Sequence, residues 1–367
     1  MMFYKILDNI NNCIKLNKAC YLNPSLCKYL VETYNTIDEI NENILTIKEK
    51  FKININKFKT TINSSIQKEL NYLVQNNIHI ITPNSKNYPK YLTEITNYPL
   101  ILFAKGNLDC LSKPLFSVIG TRKPSEYASI TTASFTSSLS NYFCIVSGLA
   151  IGIDTIAHQS CLNQNNLTIA VLAHGIDSIY PKSNSSLADK IIKSKGLLLS
   201  EFPLFSIPQK FHFPQRNRII SGLSQGLLLS EATIKSGSMI TANYAIEQNR
   251  EVFALPGNIT NKNAEGPIHL IQQGAKCIFN VNDIFEEFNL NIPTSNCDNK
   301  KETENQQSES KFNSSENKIL SCLTTQLHVD EIKQETQLEL NTILHTLTFL
   351  EIKSAIKKTS ANTYIKI

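Results

Sequence analysis

The sequence predicts an α/β fold, a doubly wound and mostly parallel sheet with helices on both faces. A helical segment precedes it and a small winged-helix segment follows it. Three observations point there. Short apolar runs alternate with stretches of helical length through the middle of the chain, and all 12 glycines fall between Gly106 and Gly274. The ends differ in texture: residues 1–75 are rich in Asn and Lys and hold no glycine, and residues 291–317 are almost wholly polar.

Taken in order, residues 1–75 are broken by short apolar groups such as Leu26, Tyr29 and Leu30, and predict a few short helices. Ile78, Ile80 and Ile81 form a strand-like run, and Tyr88-Pro89 and Tyr98-Pro99 mark turns. Seven runs follow: Leu115–Ile119, Cys144–Ser147, Thr168–Leu172, Leu197–Leu199, Leu227–Leu229, Val252–Leu255 and Lys276–Phe279. Most are short, apolar through their length and closed by Gly, Ser or Pro, as strands buried on both faces read. With helical segments between them they predict the doubly wound sheet over 76–290. Residues 291–317 carry little to bury and are expected to be a disordered linker. From Lys318 apolar periodicity returns through Ile319, Leu323, Ile332, Ile343, Leu347 and Leu350, and Ile356 and Thr363-Tyr364-Ile365 predict a closing hairpin. That makes 318–367 a winged-helix domain, with nine basic against ten acidic residues from 291 onward. Its charge favours a packing or partner role over strong DNA binding.

Composition narrows the function classes. Hydrophobic content of 41% and charged content of 18% describe a globular chain. No uncharged apolar run is long enough to span a bilayer, and the first residues lack the layout of a signal peptide. Nine cysteines stand singly, without ligand spacing, so the protein is read as cytoplasmic, reduced, metal-free and without a cofactor. The net charge of +5 permits a nucleic-acid partner. The chain uses 32 lysines but only four arginines, Arg122, Arg216, Arg218 and Arg250, all in the glycine-bearing stretch. A sequence that otherwise spends Lys on positive charge keeps Arg where a planar, bidentate fork is needed.

Ligands of an open parallel sheet bind beyond the carboxyl ends of its strands, so the loops there carry the functional argument. After the first strand, Gly120-Thr121-Arg122-Lys123-Pro124-Ser125 gives a tight turn, a helix start and a cation beside it, a phosphate-favouring arrangement. After the second, Ser147-Gly148-Leu149-Ala150-Ile151-Gly152-Ile153-Asp154 lets backbone approach a ligand, with Asp154 expected as N-cap. This is not a dinucleotide fingerprint, and no acidic residue follows to hold a ribose. Lys210-Phe211-His212-Phe213-Pro214-Gln215-Arg216-Asn217-Arg218 is read as a loop combining cations with aromatic faces, the sequence-tolerant recipe for single-stranded nucleic acid. Ser236-Gly237-Ser238 at a further helix start suits an anion. His158 is read as a satisfied helix histidine, and no catalytic constellation stands out. The competing bland reading is that the glycines merely close turns, the phenylalanines are core and the arginines pair locally.

Eight motifs in this order resemble the DprA/Smf family. They are Gly120-Thr-Arg-Lys-Pro-Ser125; Ser147 to Asp154 with Ala157-His158; Gly175-Ile-Asp177; Tyr180-Pro181; Ser200-Glu201; Phe213-Pro-Gln-Arg-Asn-Arg218; Ser236-Gly-Ser238 with Thr241-Ala242; and Leu255-Pro-Gly257. The resemblance covers about 76–290. It implies an extended Rossmann-like fold that dimerises, binds single-stranded DNA, protects incoming DNA and helps load the recombinase RecA in natural transformation, and it implies no enzymatic activity. It also implies that Arg122, Lys210, Phe213 and Arg216 form a DNA-binding pocket, with Lys182 and Arg218 as further contacts. Gly120, Ser147, Gly148, Gly152, Ser236, Gly237 and Ser238 would form its phosphate loops. The segment before 76 is similar to the family's SAM-like domain. Ile151 and Ile268 depart from the pattern, standing where members often carry a basic residue and Asn. The alternative is a LOG-like nucleoside-monophosphate phosphoribohydrolase, but Lys235-Ser236-Gly237-Ser238 lacks the glycine pair such an enzyme's loop would need.

Overall fold

In the computed structural model, residues 4–21, 23–290, 314–323, 325–353, 355–360 and 362–366 are described. The chain forms two compact units, Met1–Ile292 and Pro293–Ile367. Most of the expected linker lies outside the described residues; its last four residues, 314–317, already belong to a helix.

The first unit opens with six short helices, α1 (Ile10–Ala19), α2 (Pro24–Thr33), α3 (Ile37–Glu42), α4 (Ile44–Phe51), α5 (Ile55–Ile62) and α6 (Gln67–Gln75). Asn and Thr side chains before α1, α2, α3 and α5 accept first-turn N–H groups, and Pro24 stands in the first turn of α2. These caps explain how so polar a segment forms helices. The segment does not stand apart from the sheet. Leu16, Leu26, Leu30, Ile40 and Ile47 share one apolar cluster with sheet residues Phe103, Ala170, Leu172 and Leu198.

Nine strands follow: β1 (Ile78–Ile81), β2 (Leu102–Gly106), β3 (Leu115–Ile119), β4 (Cys144–Ser147), β5 (Thr168–Leu172), β6 (Leu197–Ser200), β7 (Gly226–Leu229), β8 (Glu251–Ala254) and β9 (Lys276–Cys277). Between and after them come α7 (Glu126–Leu139), α8 (Ile153–Asn163), α9 (Ser185–Lys193), α10 (His212–Leu223), α11 (Gly237–Glu247), α12 (Glu265–Gln272) and α13 (Asn282–Glu287). The sheet order is β1-β2-β6-β5-β4-β3-β7-β8-β9. From β6 to β9 all neighbours are parallel, and β2 joins β6 and β1 antiparallel. The expected parallel strands are all present; β2 is an addition to them.

Side-chain alternation explains why both faces must be covered. Leu115, Ile119, Val146, Val171 and Leu229 pack beneath α10, α11 and α12 through Ile219, Leu223, Ala242 and Leu270. Phe116, Val118, Ile145 and Phe253 point the other way, onto Phe135, Ala157 and Ile284 of α7, α8 and α13. Residues 212–218, read from sequence as loop, are the first two turns of α10. Pro214 is compatible with that because its missing N–H falls where a helix has no acceptor for it.

In the second unit, α14 (Ser314–Cys322), β10 (Leu327–His328), α15 (Val329–Thr336), α16 (Leu340–Ile352), β11 (Ile356–Ser360) and β12 (Thr363–Lys366) enclose a core of Ile319, Ile332, Ile343 and Leu347. The three strands are antiparallel, in order β10-β12-β11.

Candidate nucleic-acid interface

After β3 the chain winds away through β4, β5 and β6, then returns to place β7 on the other side of β3. The loops after β3 and β7 therefore diverge, and a crevice opens between them at the carboxyl ends of the strands. A pocket of about 290 Å³ lies there, lined by residues from the β3 and β4 loops and from the starts of α10 and α11.

The β3 loop is held from three sides. Glu231, buried after β7, accepts the Ser125 N–H at 2.9 Å, the Ser125 hydroxyl at 2.7 Å and the Asn261 amide at 2.9 Å. Ser125 in turn caps α7 by accepting from the Ala128 N–H. Ser238 donates to the Gly120 carbonyl at 2.6 Å. Gly152, at φ +85°, lets the β4 loop close on this one, since a Cβ there would stand 2.4 Å from the Thr121 carbonyl oxygen. Glu231 has its partners 106 and 30 residues away in sequence, so no local pattern exposes its role.

One stripe of α10 faces the crevice. Phe213, Arg216, Asn217 and Ile220 recur at helical spacing and all line the pocket. Arg216 is only 4% exposed. Its Nη1 donates to the carbonyls of Gly148 (2.9 Å) and Val171, and its Nε donates to Asn217 Oδ1 at 3.1 Å. Burial pushes Arg216 down to about 10, opposed by the Asp154 carboxylate and aided by Arg122, so it stays cationic at neutral pH. Asp154 was expected as an N-cap, but Gly152 occupies that position. Instead Asp154 Oδ2 accepts the N–H groups of Gly148 (3.1 Å) and Ala150 (3.2 Å), tying the β4 loop into a bracket. Burial raises the Asp154 pKa, while Arg216 and the two N–H groups pull it back.

The rim combines a cation with aromatic rings. The exposed Arg122 guanidinium lies 5.5 Å from the centre of the Phe213 ring, and the half-exposed Tyr180 ring packs 6.0 Å from it at 60°. Gly237 and Ser238 bring the first turn of α11 to the opposite wall, where N–H groups lack helical acceptors. Ser236 uses its own hydroxyl to cap that helix. Lys182 and Lys210 are exposed and do not line the pocket.

Three further residues that the motifs assign to the site lie elsewhere or act otherwise. Arg218 is turned away from the pocket and pairs with Glu201, its Nη2 2.5 Å from both carboxylate oxygens. Ser147 is wholly buried and donates to the Val118 carbonyl at 2.7 Å, so its hydroxyl fixes strands rather than facing a ligand. Gly148 is buried against the Arg216 side chain. His158, also buried, pairs through Nδ1 with Thr168 Oγ1 at 2.7 Å, but its buried Nε2 has no hydrogen-bond partner among the described residues. The helix histidine expected to be satisfied is therefore satisfied on one nitrogen only. Among the described residues no cluster of three potential metal ligands occurs, and no helix is long and apolar enough to cross a membrane.

Residues 79–289 match the family of DNA recombination-mediator protein A. The chain belongs to that family. The DNA processing protein DprA of Bacillus subtilis is 48% identical over 212 residues, 57% of this chain and 71% of that one. The X-ray structure of DNA processing protein A from Streptococcus pneumoniae superposes with a TM-score of 0.66 at 36% identity, covering 76% of this chain and 97% of that one. A structure of the Helicobacter pylori DNA processing protein A, described for its single-stranded DNA binding mode, gives 0.52 at 31% identity over 57% and 95%. The family accounts for the motif order across the sheet, and its solved members share the α/β, Rossmann-like fold of this chain.

Proposed function

We propose that this chain binds single-stranded DNA, without sequence preference and without chemistry of its own, in the pocket at the carboxyl ends of β3 and β7. The observation that carries the reading is the stripe on α10, which sets a stacking ring, Phe213, beside a buried cation, Arg216, with the exposed Arg122 above. Bases of any identity stack on an aromatic face, while phosphates are drawn to guanidinium groups and to the start of α11. The single-strand binding described for the Helicobacter pylori relative supports it. Lys182 and Lys210, exposed beside this region in sequence, extend the cationic path. Asp154, the acidic residue of the pocket, is committed to loop N–H groups and to Arg216, which favours a binding site over the phosphoribohydrolase reading.

In this reading the protein is cytoplasmic and homodimeric, protects incoming strands and helps load RecA on them during transformation. The second unit is read as a winged helix serving a partner or packing role, and the first six helices as SAM-like. Fluorescence anisotropy of labelled poly-dT against its duplex, at two salt concentrations, tests the reading. Salt-sensitive preference for the single strand is expected, and absence of binding at low salt would overturn it. Sedimentation as a monomer at micromolar concentration would remove the dimer.

A further inference from the structure

The strands that end at the DNA pocket begin at a second cleft, and we propose that this cleft is a separate contact site for the phosphate backbone of a longer strand. The proposal rests on the reading that the chain binds single-stranded DNA. The cleft, of about 370 Å³, is walled by the Tyr88–Tyr91 turn, by Lys113-Pro114 before β3 and by Gln225 before β7. Its cations are Lys86, Lys90 and Lys113, all exposed, and no carboxylate lines it. Of the carboxylates close to these segments in the chain or the sheet, Glu94 is taken by Arg250 at 2.8 Å. Exposed Glu251, by contrast, begins β8 with its N–H bonded to the Gln225 carbonyl, and exposed Asp109 stands four residues before Lys113.

The cleft is built on fixed backbone. Tyr88 is buried and its hydroxyl donates to the Pro99 carbonyl at 2.5 Å, which anchors the turn carrying Lys86 and Lys90. The Pro114 carbonyl accepts the Cys144 N–H at 2.8 Å, which anchors Lys113 to the start of β4. Tyr91, 37% exposed, supplies an aromatic face, held by Arg250 stacked 4.8 Å from its centre and bonded to its carbonyl at 2.7 Å. Cations beside a pre-set aromatic ring repeat, at the amino ends of β3 and β7, the recipe of the DNA pocket at their carboxyl ends. Five residues of β3 separate the two, about 17 Å of strand. A strand long enough to round the sheet reaches both sites, and a short oligonucleotide fills only the pocket.

The test compares oligo-dT of about six nucleotides with oligo-dT of about forty, on the full chain and on the Lys86→Gln, Lys90→Gln, Lys113→Gln triple variant. The three lysines are exposed, so the variant keeps the fold, checked by its thermal melt. Expected are unchanged affinity for the short strand, about ten-fold weaker binding of the long one, and a log–log salt slope smaller by about 2 for the long strand alone. Unchanged long-strand affinity would overturn the proposal and leave the cleft to an acidic protein surface. An equal fall for both lengths would also overturn it, because the lysines would then act on the pocket. Failure of the unaltered chain to bind the short strand would instead overturn the single-strand reading, and the second site with it.

Discussion

The guanidinium of Arg216 lies against the Cα of Gly148, so closely that a Cβ on residue 148 would stand 2.6 Å from Nη2 and 2.8 Å from Cζ. The two residues are 68 apart in sequence and meet because α10 crosses the carboxyl ends of β4 and β5. Gly148 leaves the space that Arg216 fills. Arg216 in return donates to the carbonyl of Gly148 and to that of Val171 at the end of β5. The cation is therefore a brace for the loop as well as a floor for the pocket.

Gly148→Ala should displace Arg216 while leaving the rest of the core in place. Overpacking of this kind costs about 1–3 kcal/mol. The expected outcome is a modest fall in thermal midpoint together with at least ten-fold weaker oligo-dT binding, read by melting and anisotropy on one preparation. Binding at full strength would show that the Arg216 position is not needed by the ligand.

Phe213 and Arg122 should separate by their salt dependence. Phe213→Ala removes a stacking face worth about 1–3 kcal/mol per base, and the slope of affinity against salt should stay as it is. Arg122→Ala removes one phosphate contact, and the slope should drop by about 0.7. Because Arg122 rests over the Phe213 ring, a base that stacks on that face must move it aside. A slope change with Phe213→Ala, or none with Arg122→Ala, would contradict the division of roles between ring and cation.

The sheet was legible because its parallel strands are buried on both faces and so read as unbroken apolar runs, with every residue of β3 and β5 buried. β2 escaped notice because its Lys105 and Gly106 are only partly buried, which interrupts that signal. The pocket was half legible. Arg122, Phe213 and Arg216 come together as the motifs implied, but Arg218 belongs with them only by closeness in sequence. Reading 212–218 as a loop hid the helical turn: residues 213 and 216 share a face, and 218 points away from 216. The brackets made by Glu231 and Asp154 join separate loops, and only the fold brings their partners within reach.

Arg218→Ala should damage stability and spare binding. The Arg218 and Glu201 side chains are 8% and 16% exposed, and removing one partner of such a pair strands the other carboxylate. Losses of about 3 kcal/mol accompany broken buried pairs. A lowered urea midpoint with oligo-dT affinity within two-fold of the unaltered chain is expected under conditions where the variant is folded. A selective loss of binding would put Arg218 back at the DNA.

His158 should make the fold acid-sensitive. Burial, aided by the nearby Arg216 charge, pulls its pKa down to about 3 from an ordinary 6.5. Burial lowers His174 and His212 as well. The unfolded chain takes up a proton at His158 below about pH 6.5, while the folded chain resists it until about pH 3. The folded state thus binds fewer protons in that window, and its stability falls as pH drops through it. Above about pH 6.5 both states hold His158 neutral, and it contributes no pH dependence. Each proton difference is worth about 1.4 kcal/mol per pH unit. His158→Gln removes the titrating group from both states. Its plot of unfolding free energy against pH, between about 6 and 4, should be shallower than that of the unaltered chain, by up to that amount. Equal slopes from urea titrations at several pH values would mean that His158 accepts its proton in the folded chain.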